Sequence, residues 1–369
     1  MYQIYADGRL LHDPRHSSMG LVVESPKVNL EVNKVGSCTF TVLPTHPLYS
    51  SLLKLKTIIQ VFDDDEEIFR GRVLNDDIDF YNKKSITCEG ELAYLNDSIC
   101  GILYGDPGAT YDSVEQWLSL LLGFHNGTVF GVGGDDEKTF TLGEVSDFGN
   151  HVPSEQTDPG VTTWSIIESD FINNYGGFIR LRREDGVRYF DYVDDLNQYS
   201  SQVIEFGKNL LDLSQHITAE NLFTRLFPYG ANKNVHLSTD QTKPDLGLVL
   251  ESELGISLFG RITKAHQWPW VTADVGNPDA ILRVLGEQYL SNSLALSVSI
   301  DVSGYDLTNA GIDTDKIHVG DKVRTVSKPH GLDQFFLCSS ITYDLSNPGN
   351  NEYSFGFAQK ALTDKLITG

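Results

Sequence analysis

The chain has 369 residues, of which 40% are hydrophobic, 11% aromatic and 21% charged, and its formal net charge is −23. This length and apolar content suit two to four domains with real cores and exclude wholesale disorder. The acidity argues against a phosphate-binding groove for nucleic acid and against adhesion to anionic lipid, because both need clustered Lys and Arg.

The first hundred residues are predicted to be all β. Apolar pairs at 4–5 and 10–11 flank Asp7-Gly8, which is a two-residue hairpin signal. Further strands are predicted at 28–32, 38–42, 58–62, 68–73 and 85–88. Short strands at this spacing indicate a barrel or a sandwich.

The middle of the chain, 102–200, is predicted to be α+β. One apolar stripe at helical spacing predicts a helix that contains Val114, Trp117, Leu118, Leu121 and Leu122. Asp112 and Glu115 form a capping-box pattern before this helix, and Gly123 is expected to end it. A second stripe predicts a helix with Trp164, Ile167, Phe171 and Tyr175, ended by Gly176-Gly177. A hairpin with its turn at 184–186 follows.

After residue 200 the β pattern returns, with one further helix. Asn277 is its predicted N-cap and Pro278 its first residue. The apolar face of this helix consists of Ile281, Leu282, Leu285 and Tyr289. Later strands are predicted at 323–326, 335–338, 340–343 and 353–355.

The β segments contain a faint internal repeat. Segments 29–33 and 41–44 resemble 209–214 and 224–228. Likewise, 58–62 and 68–73 precede 85–90 as 323–326 and 335–338 precede 352–356. Chance similarity between strands is the alternative explanation.

We therefore predict a β-rich α+β fold with two similar antiparallel β-barrel domains of the tube type and two inserted α+β domains. The first barrel is 1–101, and residues 102–200 are inserted after it. The second barrel is split into 201–235 and 317–358, because loop closure tolerates the insertion of 236–316 between them. A C-terminal segment, 359–369, completes the chain.

No catalytic motif stands out. The sequence has neither His-Glu-x-x-His nor Gly-x-Ser-x-Gly. His12 and His16 flank Asp13-Pro14-Arg15, so a solvated loop is favoured over a metal pair. Cys100 and His125 could form a thiol nucleophile and its base, but ordinary burial is favoured because nothing near Cys100 suggests activation. The other cysteines, Cys38, Cys88 and Cys338, are likewise expected to be buried free thiols.

Other candidate sites are also weak. The acidic pairs 76–77, 135–136 and 194–195 are too common for two to be chosen as acid and base. Residues 313–315 begin like a calcium loop, but Ile317 stands where an oxygen ligand is expected. The Gly-rich run 131–134 precedes acidic residues that would repel phosphate. Trp268-Pro269-Trp270 could stack on sugar rings, although packing under a loop is favoured. We therefore predict no catalytic residues, no metal and no cofactor.

Several segments in order resemble the prophage tail endopeptidase family, the N-terminal hub part of tail-associated lysins in long-tailed phages of Gram-positive hosts. The signature is Val203-Ile204-Glu205-Phe206-Gly207-Lys208-Asn209-Leu210-Leu211, followed by Thr224-Arg225-Leu226-Phe227-Pro228-Tyr229-Gly230. Supporting matches lie at 115–118, 121–126, 175–182, 319–323 and 344–348, so the likeness spans nearly the whole chain.

The resemblance implies a fold similar to the central hub protein of contractile-tail baseplates. It also implies a homotrimer at the virion tail tip, below the distal tail protein ring and around the end of the tape-measure protein, with a fibre or spike as a further possible partner. DNA would pass through without specific binding. Family members often continue into a peptidoglycan hydrolase, but this chain stops at Gly369 just after the last predicted strand. We therefore expect a structural protein and not an enzyme.

Two alternative functions remain open from the sequence: a peptidoglycan hydrolase, suggested by the family name, and a wall-carbohydrate-binding module, suggested by Trp268, Trp270 and the 16 tyrosines. No apolar run is long enough to span a membrane, and the N-terminus has no signal-peptide pattern. We therefore expect synthesis and assembly in the bacterial host cytoplasm, without membrane insertion.

Overall fold

The computed structural model describes residues 1–99, 113–128, 136–147, 160–173, 176–217, 222–231, 235–237, 249–268, 271–274, 276–296, 298–312 and 314–356. Strands are the commonest regular element among these residues. Thirteen strands belong to one large sheet, and two further sheets have three strands each. This confirms the prediction of a β-rich fold with large antiparallel sheets.

The first strand run comes from the N-terminal hundred residues. Its strands are β1 Tyr2–Ala6, β2 Arg9–His12, β3 Glu24–Glu31, β4 Ser37–Val42, β5 Ile58–Asp63, β6 Glu66–Ile78 and β7 Lys84–Gly90. They are ordered β3-β4-β7-β6-β5-β1-β2 in the sheet. Asp7 and Gly8 have φ angles of 48° and 73°, the left-handed backbone of a tight hairpin turn, as their sequence predicts.

The second strand run completes the large sheet. Its strands are β11 Tyr199–Glu205, β12 Leu210–Ile217, β16 Val298–Gly304, β17 Lys322–Ser327, β18 Leu332–Asp344 and β19 Glu352–Gly356. Their order is β12-β16-β19-β18-β17-β11, which matches the order β3-β4-β7-β6-β5-β1 in the first run position by position. The two runs differ at one end, because β11 pairs with β17 in parallel whereas β1 pairs with β5 antiparallel.

Three sequence expectations for the second run differ from the structure. Residues 298–304 were expected in the insertion 236–316, yet they form β16 between β12 and β19. Residues 224–228 were expected to match 41–44, yet their strand belongs to a separate small sheet. The strands expected at 335–338 and 340–343 are one strand, β18, whose pairing with β19 shifts register between Cys338 and Ser340.

The middle segment packs helices on a small sheet. Strands β8 Thr141–Val145, β9 Phe178–Glu184 and β10 Val187–Val193 lie in the order β8-β10-β9. Helix α1, Val114–His125, begins at Ser113, whose side chain accepts the Gln116 N–H, and it continues through Gly123, where the sequence predicted its end. The predicted cap Asp112 lies outside the described residues. Helix α2, Thr163–Ile166, continues as a π-helical segment, Ile167–Ile172.

A third sheet lies within the segment after β12. It contains β13 Arg225–Tyr229, β14 Leu250–Glu251 and β15 Thr263–Gln267, in the order β14-β13-β15. Helix α3, Glu253–Phe259, and helix α4, Pro278–Leu296, belong to the same segment. Helix α4 begins at the predicted Pro278, and the Ala280 N–H is 3.4 Å from Asn277 Oδ1.

Each sheet has its own apolar core. The large sheet has one continuous core to which both strand runs contribute, including Ile4, Val61, Phe336 and Phe355. The middle sheet buries Trp117, Phe171 and Phe190 against its helices, and the third sheet buries Leu226 against α4. The shared core of the large sheet fixes the two strand runs relative to each other.

Candidate functional site: the junction between the two strand runs

The two strand runs meet where β18 pairs with β3. The register is antiparallel and places Tyr343 opposite Val28. Just beyond the strand, the Leu345 N–H donates to the Pro26 carbonyl at 3.0 Å. Tyr343 and Leu345 are only 6% and 2% exposed, so apolar side chains as well as backbone hydrogen bonds close the junction.

A buried polar contact joins the two ends of the described chain at this junction. Asn351 Nδ2 donates to the Tyr2 hydroxyl at 2.8 Å. Asn351 Oδ1 also accepts the Asp344 N–H at 2.9 Å. The Tyr2 ring packs edge-on against Tyr343, with ring centroids 6.1 Å apart. Burial raises the pKa of Tyr2 and keeps its hydroxyl neutral at physiological pH.

Charged contacts add a second layer across the junction. Lys316, in the loop before β17, lies 2.5 Å from Asp63 at the end of β5. His318 Nε2 lies 2.8 Å from Glu66 Oε1, and its Nδ1 lies 3.5 Å from Asp321. Hydrogen bonds to Asp321 and Glu66 raise the pKa of His318 to about 10, so this histidine is a cation at neutral pH.

The middle sheet is attached to the first run by paired charges that surround a cavity of about 680 Å³. Glu91, which is buried, accepts hydrogen bonds from Arg183 and Arg188, the latter at 2.7 Å. Arg70 and Glu67 pair on the wall of the same cavity at 2.8 Å. Because these cations already have carboxylate partners, the cavity offers no obvious anion site.

Asp191 is a similar buried anchor inside the middle sheet. Its carboxylate is fully buried and accepts hydrogen bonds from Arg182 at 2.5 Å and Arg180 at 2.8 Å. Burial raises its pKa, but the two guanidinium groups and the Glu144 N–H outweigh this effect and lower it. These charges stabilise the middle sheet and do not suggest catalysis.

His12 and His16 have different partners, and His12, the last residue of β2, does not lie in the solvated loop that the sequence predicted. His12 is buried, and its Nδ1 accepts the Val23 N–H at 3.1 Å. His16 Nδ1 lies 3.3 Å from Asp13, which also binds Arg15. Hydrogen bonds from Arg15 hold the pKa of Asp13 well below its usual range. Among the described residues, no three or more His, Cys, Asp or Glu side chains are grouped so that they could hold a metal ion.

Of the candidate thiol pair Cys100 and His125, only His125 belongs to the described residues. His125 is buried, and its Nε2–H donates to the Lys138 carbonyl at 3.0 Å. Its Nδ1 therefore faces the Ser98 hydroxyl, 2.8 Å away, as an acceptor. Ser98 Oγ also lies 2.9 Å from Thr163 Oγ1. Burial lowers the pKa of His125, so the ring is neutral at physiological pH.

Several of the remaining weak candidates make structural contacts. Asp76 binds Lys54 at 2.5 Å and Asp195 binds Lys322 at 2.5 Å, each as part of an ion pair. Ile317, in the calcium-like segment, is buried in the core of the large sheet. Trp268 is buried and packs on His266, so it presents no free face to a sugar. Residues 131–135, 269–270 and 313 lie outside the described residues.

Sequence reasoning missed the contacts of the junction. Tyr2 and Asn351 are 349 residues apart, and Lys316 and Asp63 are 253 apart, so no local pattern connects them. In the turn after β6, Phe80 and Tyr81 form an exposed aromatic pair, and its exposure is visible only in the structure. No helix among the described residues meets the length and hydropathy needed to cross a membrane.

The chain is similar to prophage tail proteins in comparisons with known proteins. Residues 198–366 match the sequence model of the family described as "Prophage endopeptidase tail", which confirms the family resemblance over that part of the chain. No curated protein matches. Among solved structures, the 43 kDa tail protein of prophage MuSo2 from Shewanella oneidensis is similar at a TM-score of 0.63 and 12% identity, covering 96% of this chain and 97% of that one.

Two other solved structures show the same fold. The tail protein from Neisseria meningitidis MC58 is 13% identical, with a TM-score of 0.61 and 96% of each chain covered. The prophage tail protein gp18 from Listeria monocytogenes EGD-e is 16% identical, with a TM-score of 0.53 and 94% of each chain covered. The whole chain is therefore similar in fold to prophage tail proteins.

Proposed function

We propose that this chain, whose residues 198–366 match the prophage endopeptidase tail family, is a structural hub protein of a phage tail tip. Three copies form a ring that closes or extends the tail tube. The observation that carries this proposal is the shared strand order of the two runs, β3-β4-β7-β6-β5-β1 and β12-β16-β19-β18-β17-β11. Each run supplies one barrel-like unit.

The ring adapts three-fold to six-fold symmetry. Three chains with two similar units each present six similar units around one axis, so the ring can mate with a six-fold partner such as the distal tail protein. The tape-measure protein ends inside this ring, and a fibre or spike attaches below it. The junction supports the arrangement, because its buried contacts hold both units of one chain at a fixed angle.

The ring conducts DNA without binding it. The net charge is −23, and the buried arginines Arg72 and Arg188 are paired with carboxylates. An acidic bore repels the phosphate backbone and prevents it from sticking. The purified protein should therefore leave duplex DNA unretarded in a gel at about 50 mM salt. Retardation that disappears at higher salt would contradict this part of the proposal.

The trimeric state of the ring is tested by measuring the molar mass of the protein in solution. Light scattering coupled to size exclusion should give three times the chain mass, either for the protein alone or after the distal tail protein is added. A chain that stays monomeric at every concentration and with that partner would overturn the proposal.

One observation favours a second function, peptidoglycan hydrolysis. Ser98 and His125 form a hydroxyl–imidazole pair at 2.8 Å, with the ring oriented by the Lys138 carbonyl. A hydrolase of this kind would clear Gram-positive peptidoglycan in a zymogram, and Ser98→Ala would abolish the clearing. Ser169→Ala, on the π-helical segment, is the matched control. No clearing by the wild-type protein would leave this pair as a structural contact.

A further inference from the structure

Strands β6 and β18 are counterparts in more than their place in the sheet. Each has 13 residues and pairs with a shorter strand, β7 or β19. Each pairing shifts register once, between Val73 and Asn75 in β6 and between Cys338 and Ser340 in β18. Aligning these two bulges places residues 75–79 on residues 340–344, which are the residues of β18 that pair with β3.

The backbone directions agree with this alignment. The Leu345 N–H points to β3, so by alternation the backbone groups of Tyr343 do too. In β6, the Asp79 N–H donates to Lys83 on the β7 side at 3.0 Å. By the same alternation, the backbone groups of Ile78 point away from β7. The backbone groups of Ile78 therefore point to the edge of β6 that corresponds to the edge of β18 where Tyr343 meets β3.

The side chains that are buried at the junction have exposed counterparts in the first run. Tyr343 and Leu345 are 6% and 2% exposed beneath the junction, whereas their counterparts Ile78 and Phe80 are 58% and 92% exposed. Tyr81 beside them is 73% exposed. An exposed strand edge that ends in large apolar side chains is a template for another strand.

A matching edge lies at the other end of the sheet. Strand β12 occupies the position in the second run that β3 occupies in the first, and it is the terminal strand in the sheet order of the described residues. Leu211, at the register shift in this strand, is 67% exposed. In the first run, the corresponding edge of β3 is the one that β18 covers.

We propose that the open end of β6, residues 75–79, pairs antiparallel with the outer edge of β12 in a second copy of the chain. This contact repeats the β18–β3 junction between molecules and gives the trimeric ring, on which the inference rests, its defined interface. Two complementary edges at opposite ends of one chain make a head-to-tail contact, which forms a ring when the rotation closes.

The sheet also predicts the register of this contact. Counted from the bulges, Cys88 of β7 and Phe355 of β19 are counterparts, because they pair with Val73 and Cys338. In the first run, Cys88 pairs with Cys38, which pairs with Val28. In the second run, Phe355 pairs with Val302, which pairs with Leu213.

Leu213 is therefore the counterpart of Val28, and both residues pack against the core of the large sheet. Because Tyr343 lies opposite Val28 within the chain, Ile78 should lie opposite Leu213 of the neighbouring copy. Opposed residues of antiparallel strands have Cα atoms about 4.5–5.5 Å apart, which is within reach of a disulfide.

The test is a pair of cysteines in the full-length chain with Cys100→Ser. Ile78→Cys combined with Leu213→Cys should yield covalent dimers and trimers on a non-reducing gel under mild oxidation, and each single variant should yield far less. The matched control combines Ile78→Cys with Leu258→Cys, because Leu258 lies on α3 and is 51% exposed. Cross-linking no greater than in this control would overturn the pairing.

A second measurement does not depend on disulfide geometry. Ile78→Lys with Phe80→Lys changes two exposed side chains, so the fold should persist by circular dichroism while the concentration needed for trimers rises at least tenfold. A wild-type trimer that is neither cross-linked nor weakened leaves the ring proposal standing and refutes this interface. A protein that is monomeric and uncross-linked, even with the distal tail protein, refutes both.

Discussion

Asn351 donates a hydrogen bond to the hydroxyl of Tyr2 across 2.8 Å, and both residues are 3% exposed. The contact connects the first strand of the chain to the segment before β19. It lies beside the core shared by the two strand runs, so its strength bears directly on how firmly the runs are held together.

Tyr2→Phe should therefore destabilise the protein more than its small change in size suggests. The variant leaves the buried Asn351 amide without this acceptor, which costs about 1–3 kcal/mol. Urea unfolding measures the loss. Tyr81→Phe, on an exposed side chain, should change the stability of the free chain by less than about 0.5 kcal/mol. Equal stability of the two variants would show that the contact is unimportant.

The His318 contacts predict a pH-dependent contribution to stability. The pKa of His318 is raised from 6.5 to about 10 in the folded protein by Asp321 and Glu66. The protonated ring therefore stabilises the fold fully below about pH 6.5, and this stabilisation is lost as the pH rises to about 10. His318→Gln should flatten the dependence of the urea midpoint on pH between these values.

The junction should also lose some of its contribution to stability at acidic pH. The hydrogen bond from His318 lowers the pKa of Glu66, so the stabilisation from Glu66 is present above its unfolded value of 4.5 and is lost as the pH falls below it. The effect on stability is modest because both side chains are nearly half exposed. A wild-type urea midpoint that does not fall between pH 8 and pH 10 relative to His318→Gln would contradict the assignment.

Glu91→Gln should strongly lower the stability of the protein where the middle sheet is attached to the first strand run. The buried carboxylate of Glu91 faces both Arg183 and Arg188, and removing its charge leaves the buried Arg188 guanidinium without its carboxylate partner. Breaking a buried pair costs about 3–5 kcal/mol. Glu24→Gln is the matched control, because its pair with Lys83 is exposed and screened by solvent, so its loss should change stability little. Thermal melting of the two variants separates these outcomes.

The cysteines should be unreactive in the folded protein. Cys38 and Cys88 lie opposite each other on β4 and β7, and Cys338 is buried in the same core. Burial raises the pKa of each of these thiols, so little thiolate forms at pH 8. A thiol reagent at pH 8 should leave these three cysteines unmodified in the native protein and modify all four in urea, as mass spectrometry can show. Rapid modification of Cys38 in the native state would contradict the burial.

Local sequence patterns predicted the individual elements well. Asp7-Gly8 predicted a turn because both residues tolerate left-handed backbone, and the stripe from Val114 to Leu122 predicted α1 because helical periodicity repeats every 3.6 residues. They failed at Gly123, since packing in the apolar core outweighs the weak helix propensity of glycine. They also failed at β18, where one bulge interrupts the alternation and imitates a break between two strands.

The pairing of distant strands was beyond the sequence. The sequence of β13 resembles that of β4, yet β13 pairs with β14 and β15 in a separate sheet. The strand that takes the corresponding place in the second run is β16, for which the sequence suggested no counterpart. Strand propensity says that a segment will pair but not with which partner, because the partner depends on packing across the whole fold.

By itself, the sequence determined the β-rich class, the main turns, the buried cysteines and the family resemblance, all of which depend on local backbone preference, apolar content or short matched segments. Only the tertiary structure decided how the two strand runs join. The contact between Tyr2 and Asn351 and the contrast between buried Tyr343 and exposed Ile78 arise from residues brought together by folding across hundreds of positions. Such contacts leave no periodic or short-range signal, since they depend on the packed sheet and not on neighbouring residues in the chain.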